Sequence, residues 1–202
     1  MSIPTEAREL LDYWFGRLGP TGLPPDDRYS LWFGAAAEVD AQLRDAFGTL
    51  AGDAAAGRLD DWAATPEGRL ALILLTDQLP RNLHRGRAAA FSSDDRALEA
   101  ALVGLARGDD RALPAVMRVF FYLPLEHAED PALQERAVAL FEALERDAPA
   151  GGERTFALFT DYARRHRDVI ARFGRFPHRN EMLGRESTPE EAAFLAEHGP
   201  GF

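Results

Sequence analysis

Hydrophobic residues along this chain recur at the three- and four-residue spacing of helices. Between Phe156 and Phe173, apolar residues fall at alternating three- and four-residue steps, and His166 lies on the same stripe. The run from Leu70 to Leu75 is apolar throughout, which predicts a helix buried on all sides. No stretch shows the alternation of a strand bounded by turns. The pattern therefore predicts an all-α protein.

Threonine or aspartate directly before proline marks three helix starts. The side-chain oxygen of the first residue caps free backbone amides, and proline suits the first helical position because it needs no hydrogen bond there. In the last of the three, a glutamate three residues after the threonine completes a capping box. The three starts are Thr65-Pro66, Asp130-Pro131 and Thr188-Pro189, the last with Glu191.

Glycines and prolines mark the ends of the other helices. Together with the apolar spacing they predict helices over about 5–16, 30–56, 94–107, 111–122 and 153–173. About eight helices with short loops form either a bundle or a stack of antiparallel helical hairpins. We expect residues 1–202 to form a single domain, or two tightly packed halves, because no low-complexity linker divides them.

Composition excludes several classes of function. A net charge of −10 argues against nucleic acid or an anionic membrane as partner. The chain has no cysteine, and its 23 basic residues are all arginine, so a thiol nucleophile, a pyridoxal Schiff base and a P-loop lysine are excluded. Without an apolar run of roughly 20 residues or a signal peptide, we expect a cytoplasmic protein. We expect no cofactor.

The nine residues from Arg172 to Asn180 are the most informative polar segment. They place three arginines, a histidine and an asparagine around two phenylalanines and a proline, where a plain connector would carry small polar residues. Arginine presents a rigid fork of donors that suits carboxylate or phosphate, and the aromatic neighbours would hold that fork in place. This composition predicts a binding or catalytic loop.

A second polar segment follows the apolar run, where Asp77 continues the buried stripe. A carboxylate there needs a partner to offset its desolvation. Pro80 is predicted to end the helix before Arg81 can reach Asp77. Arg118, the one charged residue in the apolar stretch from Leu113 to Leu123, is the natural candidate partner.

A third polar segment, from Pro124 to Asp130, contains one histidine and three acids. Asp130 has an ordinary role as a helix cap, and Glu129 favours the positive end of the next helix. His127 has no such role, so it is a candidate catalytic residue. The alternative is an ordinary hydrogen-bonded histidine.

Five motifs in order along the chain resemble the DUF924 family, whose members are of unknown function. The resemblance implies a tetratricopeptide-like, all-α superhelical fold, and it predicts the fold better than the activity. That family usually carries an aromatic at position 84 and a methionine at position 126, so His84 and Glu126 are weaker site candidates. The motifs are Trp14 to Gly16; Trp32-Phe33; Asp77 to Asn82 with Arg85-Gly86; Phe120 to Pro124 with His127 and Glu129-Asp130; and Arg172 to Asn180 with Leu183 to Arg185 and Ser187-Thr188.

Our leading hypothesis is that the three polar segments converge on one pocket for a small molecule bearing phosphate or carboxylate. Arginines would bind the anion and histidines would transfer protons, in hydrolysis or group transfer. The candidate catalytic residues are His127, His166, His178 and Asp77. The candidate ligand-binding residues are Arg81, Asn82, Arg85, Tyr122, Glu129, Arg172, Arg175, Arg179 and Asn180.

Three alternatives compete with this hypothesis. Three histidines with Asp77 or Glu129 could bind zinc, although no local ligand spacing supports it, and no metal is expected. A tetratricopeptide-like scaffold could bind a protein or peptide without catalysis. Finally, the charged residues could form a buried ion network with a purely structural role.

Overall fold

The computed structural model describes residues 2–199, and in that range it contains helices and no strand. The all-α prediction is therefore confirmed, whereas the tetratricopeptide-like arrangement stays a prediction. Within the same residues, no helix is both long and apolar enough to cross a bilayer. The α-helices are α1 (Thr5–Phe15), α2 (Tyr29–Phe33), α3 (Ala37–Ala55), α4 (Pro66–Ile73), α5 (Leu79–Leu83), α6 (Asp94–Arg107), α7 (Ala115–Glu126), α8 (Pro131–Arg146), α9 (Glu153–Phe173) and α10 (Pro189–His198).

Backbone contacts divide the chain into two compact units. The first unit contains the described residues up to Arg85 together with Ala89–Pro124, and so includes α1 to α6 and most of α7. The second unit contains Gly86–Ala88 and the described residues from Leu125 onward, and so includes α8, α9 and α10. The expectation of a single domain stays a prediction.

The three predicted helix starts are confirmed by their capping hydrogen bonds. The Thr65 side chain accepts from the backbone N–H of Gly68 at 3.1 Å. Asp130 accepts from the two backbone N–H groups that follow Pro131. Thr188 and Glu191 form the predicted capping box. Capping depends only on residues adjacent in sequence, which is why these starts could be predicted.

The helix predicted over 30–56 is divided in the structure into α2 and α3. The break falls at Gly34, whose backbone is extended and whose N–H still bonds to the Ser30 carbonyl. A Cβ at this position would collide with that carbonyl oxygen, so the turn requires glycine. Apolar spacing continues through the break, which is why the sequence pattern missed it.

The helix predicted over 111–122 is displaced toward the C-terminus. Asp109–Ala112 form a separate 3₁₀ turn, and α7 begins after Pro114 and continues through Pro124 to Glu126. The Pro114 carbonyl accepts from the backbone N–H groups of Met117 and Arg118, which starts the helix. Proline inside a helix removes one backbone hydrogen bond, and the apolar side chains of α7 keep it helical nonetheless.

The prediction that Pro80 ends its helix is wrong. A π-helical segment, Leu74–Gln78, joins α4 directly to α5, and Pro80 lies in the first turn of α5. The wider π turn shifts the hydrogen-bond ladder at the place where proline lacks a donor. Arg81 is therefore still in reach of Asp77, and Nη1 of Arg81 lies 3.2 Å from Oδ1 of Asp77. Arg118, the expected partner, instead contacts Asp110 and the Tyr122 hydroxyl.

An aromatic cluster forms part of the core of the first unit. Phe120 is fully buried and meets the rings of Trp14, Phe15 and Trp32 at centroid distances of 5.7, 5.3 and 5.0 Å. Indole Nε1 of Trp32 donates to the Trp14 carbonyl at 2.9 Å. Edge-to-face packing of this kind stabilises a core beyond the area it buries.

In the second unit, α8 and α9 form an antiparallel hairpin. Thr160 of α9 donates to the Phe141 carbonyl of α8 at 3.2 Å, and Arg164 pairs with Glu142 at 2.8 Å. Further along α9, Arg167 lies 3.6 Å from Glu135, which precedes those partners in α8. The later residue of α9 thus pairs with the earlier residue of α8, which shows that the two helices are antiparallel.

We expect Phe120→Ala to lower the free energy of unfolding by about 3–5 kcal/mol, because it leaves a cavity among three aromatic rings. Urea denaturation followed by circular dichroism measures the change. Phe33→Ala is the control: Phe33 stacks on Phe120 but is 39% exposed, so we expect a loss of roughly 1 kcal/mol. Equal losses in the two variants would contradict this account of the core.

Candidate functional site

The three candidate catalytic histidines lie near one another in the second unit, around the buried ring of Phe176. The His166 ring is 6.3 Å from that of His127 and 5.5 Å from that of Phe176. The His178 ring is 5.6 Å from Phe176, and the Arg179 guanidinium lies 4.5 Å above the same ring. These five residues, which we call the histidine cluster, come from the loop after α7, from α9 and from the segment after α9.

Gln134 holds the loop that carries His127. This glutamine is fully buried in α8, and its Nε2 donates to the carbonyls of Glu126 and Ala128 at 2.5 and 2.8 Å. The two bonds fix the backbone on both sides of His127. Gln134 was not a candidate from the sequence. The feature that could have indicated it is its position in the first turns of α8, four residues after the cap Asp130.

His166 is oriented through its Nδ1 atom. Nδ1 lies 2.9 Å from the Tyr162 carbonyl oxygen and 3.2 Å from Oε1 of Glu126. Because a carbonyl can only accept, Nδ1 carries the proton, and Nε2 is the acceptor nitrogen of the neutral ring. Glu126, a weaker site candidate from the sequence, thus contacts a candidate catalytic residue.

The protonation of His166 follows from its surroundings. Burial lowers the pKa of His166 to about 3, and the nearby His127, His178 and Arg179 act in the same direction, while the bond to the Tyr162 carbonyl opposes it. His166 is therefore neutral at pH 7.

Glu129 joins the loop after α7 to the segment after α9. Its Oε1 accepts from the backbone N–H of Phe176 at 2.8 Å, and both its oxygens accept from the guanidinium of Arg185 at 2.6 and 3.0 Å. Burial would raise the pKa of Glu129, but the bonds from Arg185 and Phe176 outweigh it and hold the pKa below the ordinary value. Sequence reasoning included Glu129 as a ligand-binding candidate and missed Arg185.

Asn180 and Glu191 continue this network toward α10. Arg185 Nε donates to Asn180 Oδ1 at 2.9 Å, and Asn180 Nδ2 donates to Glu191 at 3.2 Å. Glu191, which is 2% exposed, also accepts from Arg175 Nε at 2.7 Å and Nη2 at 2.9 Å. The bonds from Arg175 lower the pKa of Glu191 to about 2. We call Glu129, Arg185, Asn180, Glu191 and Arg175 the C-terminal ion network.

The candidate arginines of this segment therefore differ in their surroundings. Arg175 is bound to the buried Glu191, whereas Arg172 pairs with the exposed Glu190 at 2.9 Å. Arg179 is buried, 6% exposed, and its charge acts on both His166 and Glu129. Of the three, Arg179 is the one that the structure brings into the histidine cluster.

The other candidate residues belong to the first unit. Arg81 Nη1 bridges the fully buried Asp77 at 3.2 Å and Asp94 at 2.8 Å, and Gln78 donates to Asp77 at 2.6 Å. A guanidinium with two carboxylates is already neutralised by its own chain. The predicted convergence of all three polar segments stays a prediction.

Asp40, which sequence reasoning missed, accounts for two more candidates of the first unit. Its oxygens accept from Asn82 at 2.9 Å and from Arg85 at 3.0 Å. Burial would raise the pKa of Asp40, but these bonds lower it overall. Tyr122 donates to Asp110 at 2.7 Å, and burial raises the pKa of this phenol. No local signal connects Asp40 to Asn82, 42 residues later.

A zinc site would require at least three suitable side chains close together. Across residues 2–199, no three histidine, aspartate or glutamate side chains are arranged so that they could hold a metal ion.

Comparison with known proteins gives two matches and one negative result. A family model described as "Bacterial protein of unknown function (DUF924)" matches residues 10–199. The solved structure of a protein of unknown function, ATU0120 from Agrobacterium tumefaciens, is 41% identical and superimposes with a TM-score of 0.79, covering 95% of this chain and 97% of that one. Among curated proteins, none matches.

We expect Glu191→Gln to destabilise the protein by roughly 3 kcal/mol at pH 7, because it leaves the Arg175 charge without its buried carboxylate. The Glu191 contribution is present above pH 4.5 and is lost as the pH falls toward 2, where the folded-state carboxylate is protonated. Chemical denaturation at pH 7 and pH 3 measures this. The matched control is Glu190→Gln, an exposed neighbour expected to cost less than about 1 kcal/mol. A pH-independent difference would contradict this role for Glu191.

We expect His166 to be neutral, with the proton on Nδ1, from pH 8 down to about pH 4, because burial disfavours the imidazolium. Nitrogen-15 NMR of selectively labelled histidine distinguishes the two tautomers and the charged ring. His166→Asn assigns the signal. An imidazolium spectrum at pH 6 would show that the Glu126 carboxylate outweighs desolvation.

Proposed function

Because this chain belongs to the DUF924 family, bacterial proteins of unknown function, its activity has to be argued from its own residues, and we propose that the histidine cluster binds a small molecule bearing phosphate or carboxylate. Arg179 binds the anionic group, and His166 transfers a proton during hydrolysis or group transfer. The observation that carries the proposal is the grouping of three imidazoles and a buried guanidinium around Phe176.

Arg179 suits the role of anion donor because of its surroundings. A buried guanidinium that lies 4.5 Å from the centre of an aromatic ring loses little conformational freedom when it binds an anion. Its charge also acts in less water than that of an exposed arginine, which strengthens charge-assisted hydrogen bonds.

His166 suits the role of general base because its tautomer is defined. With the proton on Nδ1, Nε2 accepts a proton from water as the water oxygen bonds to the phosphorus or carbonyl carbon of the substrate. The imidazole of His127 or His178, in its protonated form, returns a proton to the leaving oxygen. Glu126 and the Tyr162 carbonyl stabilise the imidazolium that forms on His166.

The low pKa of His166 links proton transfer to ligand binding. A base with a pKa of about 3 is inefficient at pH 7; burial is the main cause of this low pKa, and the positive charge of Arg179 adds a smaller part. A bound anion offsets this charge and raises the pKa of His166 toward the working pH. The cluster therefore becomes a better base only when its ligand is present.

A helical scaffold that binds a protein or peptide is the second candidate function. It is favoured by an aromatic pair in α2 of the first unit, Tyr29 and Phe33, which are 37% and 39% exposed with ring centroids 5.2 Å apart. Exposed aromatic residues are enriched at protein interfaces. This function requires no catalysis and makes no use of the histidine cluster.

The test is a thermal-shift screen of the purified protein against phosphate, pyrophosphate, sugar phosphates and di- and tricarboxylates, followed by calorimetric titration. A ligand at a hundred times its Kd adds roughly 2.7 kcal/mol of stability. We expect Arg179→Gln to abolish the shift, and His166→Asn to retain binding but to lose turnover of the bound compound. Arg136→Gln, on the exposed face of α8, is the matched control and should bind as the unmodified chain does.

Two outcomes would overturn the proposal. One is that no anion shifts the unmodified protein. The other is that Arg179→Gln remains folded and responds to the ligand like the control. Either result would favour the scaffold function, which a pull-down with Tyr29→Ser and Phe33→Ser variants would then test.

A further inference from the structure

A cleft of about 570 Å³ lies between α9 and α10 in the second unit, on a different stripe of α9 from His166. Tyr162, Arg165, Val169 and Arg172 line it from α9, at steps of three and four residues. Phe194 and His198 line it from α10. Its volume falls within the roughly 300–1,000 Å³ typical of small-molecule sites.

The apolar part of the cleft is flat and aromatic. Phe194 packs edge-on against Phe173 at 5.2 Å and stacks on His198 at 4.4 Å, with the two ring planes only 20° apart. His198 Nδ1 contacts the Phe194 carbonyl at 3.1 Å, which holds the stacked pair together. Val169 is buried beside them. The stacked rings of Phe194 and His198, with the aliphatic side chain of Val169 beside them, favour a planar ligand.

Two arginines lie beside the aromatic rings of the cleft. The Arg172 guanidinium lies 5.7 Å from the Phe194 ring centre, and that of Arg165 lies 5.5 Å from the Tyr162 ring centre. They are seven residues apart on α9, which is about 10 Å along the helix axis. A molecule with a planar ring and one anionic group can contact the Phe194–His198 pair and one of these guanidiniums at the same time.

The present partners of these arginines are weakly held. Arg165 pairs with Asp161 at 2.5 Å and Arg172 with Glu190 at 2.9 Å, and all four side chains are about half exposed. Exposed ion pairs contribute little to stability, so an incoming anion displaces such carboxylates at small cost. An anion that displaced Glu191 from Arg175 would meet a larger cost, because Glu191 is buried and would lose its partner.

We propose that this cleft is a binding site for a planar aromatic molecule carrying one phosphate, of the nucleoside monophosphate class. The ring stacks against the Phe194–His198 pair, and the phosphate binds Arg172, the arginine beside the Phe194 ring. Asp168, which also lines the cleft, accepts a hydrogen bond from an amino group on the ring. A net charge of −10 on the whole chain disfavours long polyanions, which agrees with a single nucleotide as ligand.

The test uses adenosine monophosphate as probe, measured by calorimetric titration with the full chain, beside adenosine and inorganic phosphate alone. We expect adenosine monophosphate to bind, and each half-ligand to bind at least about tenfold more weakly, because each makes only part of the contacts. Arg172→Gln should raise its Kd about tenfold, whereas Arg165→Gln, which removes a guanidinium about 10 Å away along α9, should change it less than about twofold. Phe194→Leu should weaken adenosine and leave phosphate unchanged.

Both arginine variants remove exposed side chains, so the fold is expected to be retained, and circular dichroism checks this. Arg136→Gln is the control. The proposal is overturned if adenosine monophosphate does not bind the unmodified chain, or if the folded Arg172→Gln variant binds it as tightly as the unmodified chain does. It is also overturned if Arg179→Gln alone abolishes binding, since the nucleotide would then lie at the histidine cluster.

Discussion

The bidentate pair between Glu129 and Arg185 is the contact on which the second unit depends most. It connects the loop after α7 to a segment that follows α9 and has little regular helix of its own. In such a segment, side chains bind backbone groups in addition to the few backbone–backbone hydrogen bonds that it forms. Arg185 does this for the Phe176 carbonyl and Asn180, and Glu129 does it for the Phe176 N–H. Phe176, around which the histidines lie, is thereby held at both its backbone groups.

This network has consequences for the chemistry beside it. Buried carboxylates and guanidiniums are stable only as complete sets, so a change to one member exposes the others to a desolvation cost. The C-terminal ion network is such a set, and it fixes the positions of His178 and Arg179 in the same segment. The depressed pKa of His166 depends in part on those positions. The structural interpretation of the charged residues and the catalytic one are therefore compatible: the network holds the framework, and in the function that we propose the histidine cluster supplies the reactive groups.

Arginines in this protein fall into two physical classes. Arg175 and Arg81 bind buried carboxylates and hold parts of the chain together. They are poorly suited to ligands, because a ligand that took the place of the carboxylate would leave a buried charge without a partner. Those in exposed pairs, such as Arg165 and Arg172, exchange partners easily. A chain that uses arginine for every basic position gives no sign of this division in its composition. It becomes visible only through the partner of each guanidinium.

Local chemistry explains how much the sequence determined on its own. The all-α class and the three capped helix starts follow from neighbouring residues, so both could be predicted. The same is true of the polar character of the segments at 77–85, 124–130 and 172–180. The break at Gly34 and the continuation through Pro80 could not, because they depend on a close backbone contact and on a π turn that apolar spacing does not encode. The long-range partners of the charged residues were decided by tertiary structure. Glu129 and Arg185 are 56 residues apart, and Glu126 reaches His166 only because α9 folds back along α8.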